Sequence, residues 1–62
     1  MEKLLLRPEE AATALGLGRT KIYSLLALGE IESLTVGRRR LIPRDAVEAF
    51  VKRVRAEQAV EA

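Results

Sequence analysis

Apolar positions recur at helical spacing in three stretches of this chain, and between the second and third they give way to a pattern suited to strands. The first helix is predicted over Pro8–Leu15. Proline fits a first helical position, where a backbone N–H would be unpaired anyway. Glu9 and Glu10 follow in the first turn, where the positive end of the helix dipole favours carboxylates. Arg7 is a poor N-cap, so this start is expected to be incompletely sealed. Gly16 stops the helix by supplying the left-handed conformation that a helix C-terminus often needs.

A second helix is predicted from Arg19 to Leu28, ended by Gly29. Leu17 precedes a Gly18 cap and Ile22 lies four residues inside the helix, the spacing of a hydrophobic staple. Ile22, Leu25 and Leu26 form an i, i+3, i+4 stripe that should face the core. Ser33–Val36 and Arg39–Ile42 then flank Gly37-Arg38, and glycine at the first position of a two-residue loop suits a type II′ hairpin. Pro43 is expected to end the ladder. A third helix follows from Arg44, with Val47, Phe50, Val51 and Val54 on one apolar face, and Ile42 and Val47 repeat the staple spacing. Residues from Gln58 onward are expected to fray. The fold class is mainly α with a small β-hairpin: one domain over residues 1–62, its core at 4–54.

Composition narrows the chemistry. Sixty-two residues leave no room for a separate substrate domain, and a chain of this size buries only about 60% of its unfolded surface. The absence of cysteine and histidine excludes disulfides, thiolate zinc sites and the commonest general base, so neither a metal site nor a cofactor is expected. Leu4-Leu5-Leu6 is too short for a membrane span, and a soluble cytoplasmic protein is expected. No catalytic residues are assigned and no small-molecule substrate is expected. Glu9 and Glu10 are adjacent rather than opposed, and Thr20 and Ser24 have no histidine to activate them.

The formal charge of +2 is unevenly spread. Residues 19–44 carry six basic side chains against Glu30 and Glu32, a net of +4, while residues 1–18 and 45–62 each carry −1. A localised basic surface on a small domain points to a polyanion. The helix, glycine turn, helix arrangement makes that polyanion double-stranded DNA. Ala12 provides a small side chain where two steeply crossed helices approach, and Gly16 tolerates the reversal. Ala11, Leu15, Leu17, Ile22 and Leu25 would close the shared core. Gly37-Arg38-Arg39-Arg40 then places three guanidiniums at a tight turn, where their rigid forks can grip phosphates or enter a minor groove. An ordinary helical hairpin, with the arginines guarding an edge strand, is the structural alternative.

At 100° per residue, Thr20, Ser24 and Ala27 lie opposite the core stripe, so Thr20 and Ser24 face the major groove most directly. Arg19, Lys21 and Tyr23 flank them, Tyr23 suiting either a core cap or a phosphate contact. Arg38, Arg39 and Arg40 form the wing contacts and Arg44 is a further phosphate candidate, whereas Lys52, Arg53 and Arg55 read as a solvated face. About five phosphate pairs give a log–log salt slope near −4 to −5.

Residues 4–54 resemble the excisionase-type helix-turn-helix domains, relatives of the MerR-like winged domain. The resemblance runs through Leu6-Arg7-Pro8-Glu9-Glu10-Ala11-Ala12, Leu15-Gly16-Leu17, Thr20-Lys21-Ile22-Tyr23, Leu26 and Gly29-Glu30-Ile31. It continues through Val36-Gly37-Arg38-Arg39-Arg40, Ile42-Pro43-Arg44-Asp45-Ala46-Val47 and Phe50. It implies a winged helix-turn-helix: two helices, a two-stranded wing, a closing helix and a short N-terminal strand at Leu4–Leu6. Gly18 stands where that family often has serine or threonine, and Ser24 where it often has a basic residue. The resemblance implies a bacterial, nucleoid-associated protein that helps an integrase in excision. Leu28 projects away from the core stripe of the second helix, and it and the end of the third helix are expected to serve cooperative contacts between neighbouring copies on DNA. A small MerR-like transcriptional regulator at promoters and a protein-interaction module on the same scaffold are the alternatives.

Overall fold

Two glycines at φ 73°, Gly16 and Gly29, set where the chain stops being helical. In the computed structural model, which describes residues 3–59, the elements run β1 (Leu5–Leu6), α1 (Pro8–Leu15), α2 (Arg19–Ala27), β2 (Leu34–Val36), β3 (Arg39–Pro43) and α3 (Arg44–Ala59). At the end of α1, Gly16 N–H donates to Thr13 C=O (3.1 Å) and Leu17 N–H reaches back to Ala12 C=O (2.8 Å). At the end of α2, Gly29 N–H donates to Leu26 C=O (3.1 Å) and Glu30 N–H to Leu25 C=O (2.9 Å). Both are Schellman closures, which satisfy carbonyls the helix would otherwise leave open. Leu28, expected inside the second helix, sits just past it with helical dihedrals, donating its N–H to Ser24 C=O at 3.1 Å.

The start of α1 is better sealed than Arg7 alone predicts. Glu10, in the third helical position, accepts the Arg7 N–H at 2.9 Å, the half of a capping box that does not depend on the residue at the cap. Lys3 and Arg7 pair with the same carboxylate. The second helix lacks such help. Gly18 caps it in extended conformation (φ −79°, ψ 166°), with no side-chain hydrogen bond.

β3 lies centrally in a three-stranded antiparallel sheet of order β1-β3-β2. β2 pairs with its first part, Val36 opposite Arg39 and Leu34 opposite Leu41; β1 pairs with its second, Leu6 opposite Ile42 and Leu5 opposite Pro43. Pro43 is the last residue of β3, so the strand ends there as the sequence suggests, but it does so paired with β1. Arg44 N–H donates to Leu4 C=O at 2.8 Å, one step beyond the Leu5–Pro43 pair. Hydrogen-bonded pairs alternate in such a ladder, so Pro43 occupies a position where β1 asks for no N–H. Its other side lies beyond Leu34, where pairing with β2 has stopped.

The core is formed by Ala11, Ala12, Ile22, Leu25, Leu26, Ile31, Ile42, Ala46 and Val47, with Leu6, Leu15, Leu17 and Phe50 packed around it. Ala11, Ile22 and Ile42 are fully enclosed, and among the described residues no polar side chain is buried. Ile31 was not anticipated as core; it becomes buried because the Gly29 reversal folds the chain back beneath the sheet. The inward face of α3 is turned from the expected one. Ala46, Val47, Phe50 and Val54 point inward, whereas Val51 is exposed. Arg53 is exposed, as the solvated face assigned to it requires, but it is not without partners. Its guanidinium donates to the Glu30 carbonyl (2.9 Å) and carboxylate (2.8 Å) and lies 5.5 Å from the Phe50 ring centroid, tying α3 to the end of α2. Lys52 and Arg55 are exposed. Gln58 and Ala59 are helical rather than frayed, and the remainder of the predicted frayed tail, 60–62, lies outside the described residues.

Gly18→Ser tests the bare cap. A Cβ there meets nothing within 4 Å, so serine adds a cap and restricts the unfolded chain. The expected gain is about 0.5–1 kcal/mol in urea unfolding, a rise in Tm of about 2–8 °C. Gly16→Ala, at φ 73°, is expected to lose about 1–2 kcal/mol in the same assay.

Candidate nucleic-acid interface

The buried stripe of α2 fixes what the helix can present. With Ile22, Leu25 and Leu26 against the core, Arg19, Thr20, Lys21, Tyr23 and Ser24 are all exposed. Thr20 and Ser24 lie on the face away from the core by helical geometry, as their spacing predicts.

The wing is the β2–β3 ribbon. Gly37 at its tip has φ 63° and Arg38 does not have positive φ, the sign pattern of a type II′ turn rather than type I′. The three wing arginines differ in setting. Arg38 is in the turn, Arg39 faces Val36 across the ribbon, and Arg40 faces Thr35 while its Nε donates to Ser33 Oγ at 3.0 Å. Among the described residues, the side chains of Lys21, Arg38 and Arg39 make no hydrogen bond or ion pair, so their charge is directed to solvent. Arg44 begins α3 and is half-buried.

Helix and wing meet across an open groove of about 330 Å³ lined by Arg7, Pro8, Glu9, Tyr23, Arg39 and Arg40. Tyr23 comes from α2, Arg39 and Arg40 from the wing, and Arg7, Pro8 and Glu9 from the start of α1. Tyr23 is 42% exposed and neither caps the core nor stands free. Its hydroxyl donates to Glu9 Oε2 at 3.0 Å, and the Arg19 guanidinium lies 5.6 Å from its ring centroid. Arg19 Nε is also 3.8 Å from that same Glu9 oxygen.

The groove thus contains three residues that the sequence did not mark as part of the site, Arg7, Pro8 and Glu9. Arg7 drew attention only as a poor cap, and Glu9 only as a first-turn acid. No local signal links Glu9 to Tyr23, fourteen residues on; the link exists because the two helices cross.

A backbone hydrogen bond at its own position lowers the Glu9 pKa most, followed by the Tyr23 hydroxyl, with Arg19 and Arg7 adding their charge. Glu10 is lowered by its hydrogen bond from Lys3 and then by the Arg7 N–H.

Residues 5–55 match the protein family described as "Helix-turn-helix domain". A curated relative from Saccharopolyspora erythraea, named "Probable excisionase", is 54% identical over 57 residues, which cover 92% of this chain and 58% of the relative. The chain therefore spans little more than half the length of that relative. No solved structure matches it.

The two lowered carboxylates predict an acid limb in stability. A group whose folded pKa lies below its ordinary value of 4.5 stabilises the fold above that pH and loses the contribution as pH falls through the folded value. Thermal melts should show the native chain above Glu10→Gln in Tm near neutrality, with the gap closing as pH drops below 4.5. A gap that persists unchanged in acid would refute the linkage.

Proposed function

The chain belongs to the excisionase-type helix-turn-helix domain family, and from that premise we propose that it binds double-stranded DNA sequence-specifically as an architectural factor for excision. In this reading α2 enters the major groove, Thr20 and Ser24 meet base edges, and Arg19, Lys21 and Tyr23 address the flanking backbone. Arg38, Arg39 and Arg40 follow the duplex from the wing, with Arg44 as a peripheral phosphate contact. The protein does no bond-making of its own. Several copies side by side, meeting through surfaces such as the exposed Leu28, bend the DNA and present it to an integrase, which carries out the strand exchange. Single modules of this size bury on the order of 600–1,000 Å² on DNA, which favours several copies over one.

The observation that carries the reading is the shared groove. Tyr23 of α2 and Arg39 and Arg40 of the wing line one depression, which supports reading helix and wing as parts of one binding surface. A duplex meeting one also meets the other.

The test is titration of duplex DNA at several salt concentrations. A log–log slope of about −4 to −5 is expected. Arg38→Ala with Arg39→Ala should weaken binding uniformly across sequences and make the slope shallower by about two. Thr20→Ala with Ser24→Ala should instead narrow the difference between a selected site and random DNA. Footprints as direct repeats beside recombinase sites support the excision role; footprints confined to promoter elements would replace it with transcriptional regulation. Activity that survives alanine at all three wing arginines would leave only a protein-interaction role.

A further inference from the structure

Among the described residues, Glu9 is the one acid lining the groove between α1, α2 and the wing, where its neighbours include Arg7, Arg39 and Arg40. Its Oε2 accepts the Tyr23 hydroxyl at 3.0 Å and faces Arg19 Nε at 3.8 Å. A negatively charged oxygen held by a tyrosine O–H and a guanidinium has the surroundings that protein surfaces give a backbone phosphate oxygen. The carboxylate is about half exposed, so nothing walls it off from an approaching duplex.

We infer that Glu9 is a built-in competitor for DNA phosphate: it holds Tyr23 and Arg19 in the free protein and yields them when a duplex docks. This rests on the DNA-binding reading and deepens it by assigning the site an internal brake. Docking exchanges one anion for another at the same two donors, so these contacts contribute less net affinity than their number suggests. A duplex that reaches Tyr23 and Arg19 poorly gains too little to displace the carboxylate. The brake therefore acts most strongly on loosely docked DNA.

Glu9→Gln removes the charge and keeps an oxygen that can accept the Tyr23 hydroxyl. Affinity for a short mixed-sequence duplex, measured by fluorescence anisotropy, should rise about fivefold, the scale of one unit charge at contact distance in water. The log–log salt slope should stay near its native value, because the same phosphate pairs form in both complexes. Glu48→Gln, the same charge change at an exposed position on α3, serves as control and should alter affinity far less. Glu9→Ala should give the same gain, so the result does not hang on how one variant folds. Equal tightening by Glu9→Gln and Glu48→Gln would reduce the effect to net charge and overturn the inference. Unchanged or weaker binding by both Glu9 variants would overturn it too. A native chain that ignores duplex at low salt would defeat the DNA-binding reading itself, and the inference with it.

Discussion

The close approach of α1 and α2 is the constraint on which the rest of the molecule depends. Two helices joined by Gly16-Leu17-Gly18 can cross steeply only if the surface between them is thin, and Ala11 and Ala12 keep it so. Ile22 fills the space that remains and is fully enclosed. That one packing decision orients α2 about its axis, and so determines which of its side chains face outward. It also brings the start of α1 beside Tyr23, which is how an acid from the first turn comes to touch the presented helix.

The core that holds this arrangement is small and wholly apolar among the described residues. No polar network specifies it from within, so specificity comes from shape and from ties at the rim. Glu10 fastens the entry to α1, and Arg53 fastens α3 to the segment after α2. Exposed pairs of this kind each contribute little, because water screens them. Their value lies in where they sit, at the places where one element hands the chain to the next.

Much of the architecture was legible because local rules and tertiary packing agree. The bounds of α1, the glycine stops, the stripe on α2 and the wing turn all follow from short-range spacing. What was missed depends on strands and helices meeting. Pro43 closes β3 as expected, but its pairing with the N-terminal strand, a neighbour nearly forty residues earlier, has no local signal. Ile31 lay in a turn with no periodicity to flag it. Val51 and Ala46 exchange roles because the sheet, not the helix, decides which side of α3 is covered. The exposed residues of α2 were readable from its apolar stripe. The groove was not, since Arg7 and Glu9 join it only through the crossing of α1 over α2.

No residue of β3 is paired to both neighbours: β2 lets go at Leu41 and β1 takes hold at Ile42. The sheet is therefore two ribbons laid end to end, with a seam between those two residues. Ile42 is enclosed in the core while Arg39 and Arg40, at the other end of the same five-residue strand, are exposed, so one half of the strand serves the core and the other half the wing.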